Sequence, residues 1–259
     1  MLDSQDVAFF EDNGFLHIPE VFTPEETQEL SDELDQLVAE WALTSPGWEG
    51  NWRNIYMDPD VARQSKLTAM HDLQFYSEVW FRGITNSRLV DAVSDLIGPN
   101  VELHHSTLHI KPPQSGHPFP MHQDSPFYPH RAKGFVDVLV HLDDTNEENG
   151  EIRFLAGSHK QGALEHLTAE GVYYYLPPDD YRLTDTVPVP AKKGDVVAFH
   201  LWTVHGSYIN QTNQPRRLVR IGFRDPQNPQ VAGQSFQRPN LLLKGYRDRA
   251  EGQELLRNS

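Results

Sequence analysis

The sequence contains no cysteine. That absence excludes disulfide bridges, thiolate metal sites, iron–sulfur clusters and cysteine nucleophiles together. A metal ion held by this chain must rest on His, Asp or Glu. Basic charge is scarce as well: 22 Lys and Arg stand against 37 Asp and Glu, for a formal net charge of -15. Such a field repels phosphate backbones and anionic bilayer surfaces, and no basic cluster offsets it locally, so neither nucleic acid nor membrane is an expected partner. Long apolar runs are also missing. The acidic start "MLDSQDVAFFEDNG" lacks the basic region and apolar stretch of a secretory signal, and the final "LLRNS" is no retention or peroxisomal address. A cytoplasmic location is the expectation.

What the chain does have is a globular composition, with 38% hydrophobic and 23% charged residues and no low-complexity tract. Its 259 residues suit one domain with a helical annex, because β barrels and sandwiches often reach this length. Residues 4–13 read as a short helix stopped by Gly14, followed by the extended "FLHIPEVF". Thr23, Pro24 and Glu26 spell an N-cap, a first-turn proline and a capping-box acid, opening a helix whose Leu30, Leu34, Leu37, Val38 and Trp41 recur at helical spacing. "NSRLVDAVSDLIG" repeats the logic, with Asn86 as cap, Leu89, Val90, Val93 and Ile97 on one face and Gly98 as stop.

From residue 101 the pattern changes to short strands, "VELHHSTLHI", "FVDVLVHLDD", "EIRFLAGS", "DTVPVPA", "GDVVAFHLWTVHG" and "RLVRIGFR", punctuated by "PPQSG", "EENG" and "KKGD". The expected class is mainly β with flanking α-helices. It comprises a single domain: a mainly helical annex over 1–100, an antiparallel barrel or jelly roll over 101–225 and a C-terminal extension over 226–259.

Histidine chemistry concentrates in "HPFPMHQDSPFYPH", residues 117–130. A strand-end His-x-Asp puts two side chains on the same side of the chain, and two nitrogens with one carboxylate make the facial triad of non-haem Fe(II) oxygenases, leaving three open positions. The chain has two such motifs, His122-Gln123-Asp124 and His141-Leu142-Asp143. About one match is expected by chance, so context must separate them. His141 ends an apolar strand and its carboxylates run into a turn, which favours an ordinary strand end. His122 follows a Pro-Gly loop among aromatics, a better place for a site. For a distal histidine the late strand offers His200 and His205, and the turn at Gly206-Ser207 favours His205. Arg216 and Arg220 share one face of the last strand while Val219, Ile221 and Phe223 share the other. An arginine beside a metal suits a bidentate grip on a carboxylate such as the far end of 2-oxoglutarate.

Together these segments resemble the phytanoyl-CoA dioxygenase family of Fe(II)- and 2-oxoglutarate-dependent oxygenases. "LHIKPPQSGHPFPMHQDSPFYPH" is similar to that family's strand, Lys-Pro-Pro loop and His-Gln-Asp segment. "NEENGEIRFLAGSHKQG" and "HGSYINQTNQPRR" are similar to its Asn-Gly turn and its distal histidine and arginine. The resemblance spans roughly residues 9–224 and implies a double-stranded β-helix (jelly roll, cupin-like) core.

It further implies that His122, Asp124 and His205 bind iron and that Arg216 with Ser207 holds the distal carboxylate of 2-oxoglutarate. It puts Gln123 at the mouth of the site, His109 near the cosubstrate and His141 where some members place an aromatic residue beside it. The implied activity is hydroxylation of an unactivated C–H bond of a small-molecule substrate, with O2 consumed and succinate and CO2 released; retention of the Asp124 carboxylate favours hydroxylation over halogenation. Phe127 and Trp202, with Phe119 and Tyr128, are expected as pocket walls, and "GVYYYLPPDDYRL" as a cover. Arg220 is spaced like a second arginine that would take an anionic substrate head, with a salt bridge behind the site as the competing role. Outside this family, the same histidines suit a Zn²⁺ hydrolase or isomerase, or a metal-free binding module, neither of which needs Arg216.

Overall fold

Alternating apolar residues beyond residue 100 form most of two antiparallel sheets with a cavity between them, and residues 167–169 and 173–175 pair as a separate two-stranded sheet. The structure, a computed structural model, describes residues 2–169, 173–238 and 240–247. Its strands are β1 (Phe15–Ile18), β2 (Leu43–Ser45), β3 (Leu67–His71), β4 (Val101–Lys111), β5 (Phe119–His122), β6 (Phe135–His141) and β7 (Ile152–Phe154). They continue with β8 (Leu167–Ala169), β9 (Tyr173–Tyr175), β10 (Val187–Pro188), β11 (Val196–His200), β12 (His205–Ser207), β13 (Arg216–Arg224) and β14 (Leu241–Lys244). The larger sheet runs β1-β11-β6-β13-β4-β3-β2, with β14 added to β4, and the smaller runs β10-β7-β12-β5. This is the expected mainly β jelly roll.

Both cap signals read from the sequence operate. Thr23 accepts from the Glu26 amide while Glu26 caps back, starting the helix Pro24–Glu40, and Asn86 caps the helix Ser87–Ile97. Leu30 and Leu34 of the first helix and Leu89 and Val93 of the second share one apolar core with Val138, Val140, Val219 and Ile221 of the large sheet. Burying each such aliphatic side chain contributes roughly 1.5–3 kcal/mol. The other face of β13 carries Arg216, Leu218 and Arg220 into the cavity, as period-two alternation requires.

Three local expectations change. Trp41 sits just past its helix, is 56% exposed and packs on Tyr76 instead of the core. The run "GDVVAFHLWTVHG" is two strands in different sheets, split at a turn where Thr203 donates to the Gly14 carbonyl and the Trp202 amide donates to His200 Nδ1. The mainly helical first hundred residues also contribute β1, β2 and β3 to the large sheet, because sheet edges leave backbone groups that must pair. Within the proposed cover, residues 171–172 lie outside the described residues, and 173–175 form β9. Among the described residues no helix is long and apolar enough to cross a membrane.

Candidate metal centre and its cavity

His122 ends β5 and His205 begins β12, and antiparallel pairing makes them direct cross-strand partners. Their rings lie 4.2 Å apart between centroids. Each imidazole is fixed from behind: His122 Nδ1 donates to the Pro120 carbonyl at 2.7 Å and His205 Nδ1 to the Thr203 carbonyl at 3.0 Å. That assigns the proton to Nδ1 and leaves Nε2 as the free donor pair, the tautomer a metal requires. Asp124 follows in the turn after β5, its Oδ1 at 3.4 Å from His122 Nε2 and 3.9 Å from His205 Nε2. All three groups are buried, and their ligand atoms lie within 4.8 Å of one another.

Among the described residues Asp124 Oδ1 has no hydrogen-bond partner, although it is fully buried. A buried unmatched carboxylate oxygen costs about 1–3 kcal/mol or more, so the donor set fits a divalent cation. Burial alone would raise the Asp124 pKa, but the Arg220 guanidinium and both histidines hold it well below the usual carboxylate range. Burial, then the neighbouring His122, pushes His205 down to about 3, keeping it neutral and ligand-ready at ordinary pH.

Deeper in the cavity Arg216 begins β13. It has no exposed surface, and Nε, Nη1 and Nη2 all lack partners among the described residues. Burial pushes its pKa down to about 9. Its cross-strand partner Lys111 is equally buried and donates to Ser207 Oγ at 2.7 Å and to the Tyr208 carbonyl. A desolvated planar fork with every donor free fits a carboxylate. The space between Arg216 and the triad belongs to one cavity of about 350 Å³.

The remaining sequence candidates divide. His109 and Phe127 line this cavity. Ser207 is buried and holds Lys111, but is not among the lining residues. Gln123 is not at the mouth: it has no exposed surface, its amide donates to the Gly162 and Trp202 carbonyls, and its oxygen accepts from the Leu164 amide. It points away from the metal side because side chains alternate between its neighbours His122 and Asp124. His141 is buried with Nδ1 on the Leu139 carbonyl and does not line the cavity, while Asp143 is taken by Arg217. Trp202 does not line the cavity but packs against the cluster of Phe127, Tyr128, Phe135 and Leu201 beside it. Arg220 is not a free cation for substrate, because its Nη1 donates to Asp124 Oδ2 at 2.6 Å and to Tyr128 Oη at 3.0 Å.

Sequence reading missed the outer wall. Trp48 packs edge-on against His122, at 4.7 Å, and lies within 5.1 Å of Phe127 and 6.2 Å of Tyr173. Its amide donates to the buried His117 Nε2 at 3.0 Å. Gly47 makes this possible: its φ is +89°, and a Cβ there would collide with the His117 ring. Ser45, His71 and Gln234 complete the rim. The only signal for Trp48 was its place in the Pro-Gly-rich "SPGWEG"; His71 and Gln234 carried none, since they reach the site only through pairing of β3 and folding back of the C-terminal segment.

The phytanoyl-CoA dioxygenase (PhyH) family model matches residues 10–218. The chain is 29% identical over 224 residues to the probable alpha-ketoglutarate-dependent hypophosphite dioxygenase of Stutzerimonas stutzeri, covering 82% of this chain and 75% of that protein. It is 26% identical over 214 residues to the methylphosphonate hydroxylase of Gimesia maris, covering 81% and 76%. Among solved structures, the epimerase SnoN in complex with Fe3+, alpha ketoglutarate and nogalamycin RO superposes with a TM-score of 0.72 at 19% identity, over 95% of each chain. That likeness is one of fold.

Proposed function

Because the chain belongs to the phytanoyl-CoA dioxygenase family, we propose that its cavity hydroxylates a small, singly anionic organic molecule. It is an Fe(II)- and 2-oxoglutarate-dependent dioxygenase acting on a small-molecule substrate. Fe(II), 2-oxoglutarate and dioxygen supply the oxidising power, placing one oxygen atom on the substrate and the other in succinate as carbon dioxide leaves.

In this reading His122, Asp124 and His205 would hold the iron, and the Arg216 guanidinium would take the far carboxylate of 2-oxoglutarate. Lys111 holds Ser207 beside that end. Trp48, Phe119, Phe127 and Tyr173 exclude water and orient the substrate's apolar part beside the metal. His71, Ser45 and Gln234 offer polar contacts at the rim.

The observation that carries the substrate class is charge. Two arginines line the cavity, and no carboxylate is among its described lining residues. Burial pushes the Asp137 carboxyl well up and the Lys111 ammonium well down, toward their neutral forms; with iron, Asp124, Arg220, Arg216 and doubly charged 2-oxoglutarate then counted together, one positive charge remains enclosed. A lone charge away from water is costly, and a monoanionic substrate cancels it. The volume of about 350 Å³ is at the small end of ligand pockets, which run roughly 300–1,000 Å³. The hypophosphite and methylphosphonate named for the two relatives are small anions of this kind.

The test is substrate-dependent succinate release from iron-loaded protein with methylphosphonate, 2-aminoethylphosphonate, short carboxylates, ectoine and a long-chain acyl-CoA. Coupled turnover confined to the small acids is expected. Turnover with ectoine or acyl-CoA alone would overturn the proposed substrate class. A parallel anaerobic titration with Fe(II) and 2-oxoglutarate should develop the visible charge-transfer band of a chelated keto acid, abolished by His122→Ala.

A further inference from the structure

We infer that Arg220 is a positioning residue that restricts Asp124 to ligating through a single oxygen. The inference rests on the triad holding the metal. Asp124 has two inequivalent oxygens: Oδ2 accepts from Arg220 Nη1 at 2.6 Å, while Oδ1 has no hydrogen-bond partner among the described residues and faces both histidine Nε2 atoms. A carboxylate with both oxygens free can chelate a divalent ion and occupy two of its positions. Three protein atoms leave three positions, two for a keto acid and one for a diatomic gas; four leave only two.

Arg220 is itself braced. Its Nη1 also donates to Tyr128 Oη, Tyr128 donates to Asp137 Oδ2 at 2.9 Å, and Asp137 Oδ1 stands 4.0 Å from Arg220 Nε. The Tyr128 ring lies 5.5 Å from the guanidinium carbon. Tyr128 and Asp137 are almost wholly buried, so the brace is shielded from water. Charge-assisted hydrogen bonds in such surroundings are short and strong, which is what holding back a competing metal ligand demands. β13 supplies the alignment: Arg220 pairs with Leu139 and Gly222 with Asp137 across β6, placing the carboxyl group diagonally beside the arginine. Arg220 also lies two residues beyond the span matched by the family model.

The test uses nitric oxide, a diatomic probe for the third position, bound to the anaerobic Fe(II)·2-oxoglutarate protein and read by its half-integer-spin EPR signal per iron. Arg220→Met should retain iron and the keto-acid charge-transfer band, yet bind nitric oxide about tenfold or more weakly, since a charge-assisted hydrogen bond no longer holds Oδ2 back. Tyr128→Phe keeps every charge and removes only the brace, and should give a smaller loss in the same direction. Arg220→Lys restores the charge without the same geometry and should recover nitric oxide affinity only in part. Folded Arg220→Met or Tyr128→Phe protein that binds nitric oxide like wild type overturns the inference. So does an Arg220→Met protein that cannot bind iron while Tyr128→Phe is unaffected. A wild type that binds no iron, or shows no keto-acid band, would instead overturn the reading of the triad.

Discussion

Arg216 carries a desolvation cost that a bound anion would offset. Its guanidinium nitrogens are buried without partners among the described residues, and its pKa is lowered to about 9 by that burial. Arg216→Met, similar in length and apolar, should therefore make ligand-free protein more stable by about 1–3 kcal/mol, the desolvation penalty of an unmatched donor group. Chemical denaturation without 2-oxoglutarate checks the sign. The same variant should bind 2-oxoglutarate about a hundredfold more weakly, roughly the 2.7 kcal/mol of a bidentate ion pair, and lose the stabilisation that cosubstrate gives wild type. A variant less stable than wild type in both states would show Arg216 to be a structural cation. Gln123 teaches a related lesson: next to two ligands in sequence, it faces the other way and ties the 162–164 loop to the turn at Trp202.

At the scale of elements, the site is assembled from strand ends held by turns. β5 and β12 bring the histidines opposite each other, and the split between β11 and β12 moves the chain from one sheet to the other just before His205. The loop after β2 is a separate device, carrying Trp48 over the cavity on a left-handed Gly47. Gly47→Ala meets both the His117 ring and a backbone conformation costing an L-residue about 1–2 kcal/mol. The expected result is a roughly tenfold rise in substrate KM, the kinetic equivalent of that energy. The Fe(II)·2-oxoglutarate band should be unchanged, because His122, Asp124, His205 and Arg216 all lie on other segments. An altered band with normal KM would assign the loop to the cosubstrate instead.

For the whole molecule, acid is the expected weakness. His104, His130, His141 and His200 are buried, and desolvation lowers them from 6.5 to about 4, 3, 4 and 3 respectively. Folded protein thus binds fewer of these protons than unfolded protein between about pH 3 and 6.5. Stability rises with pH across that window and is lost as pH falls through it; near pH 5, unfolding takes up roughly four protons from these groups. Urea midpoints of metal-free protein should fall steeply from pH 7 to pH 5, and a flat profile would contradict the burial of these histidines.

The sequence by itself determined the local rules. Thr23 and Asn86 start helices because a side-chain oxygen meets free amides within three residues, and Arg216 and Arg220 share a face because strand side chains alternate. The order of motifs was enough for the family and the fold, since each motif is contiguous. Tertiary structure decided what depends on distant segments meeting. Arg220 faces the cavity in either role, but only the packing of β13 against the turn after β5 puts it on Asp124. Trp48, His71 and Gln234 enter the site from three separate segments. Such placement is set by pairing and burial summed over the whole chain, and no short window of sequence contains it.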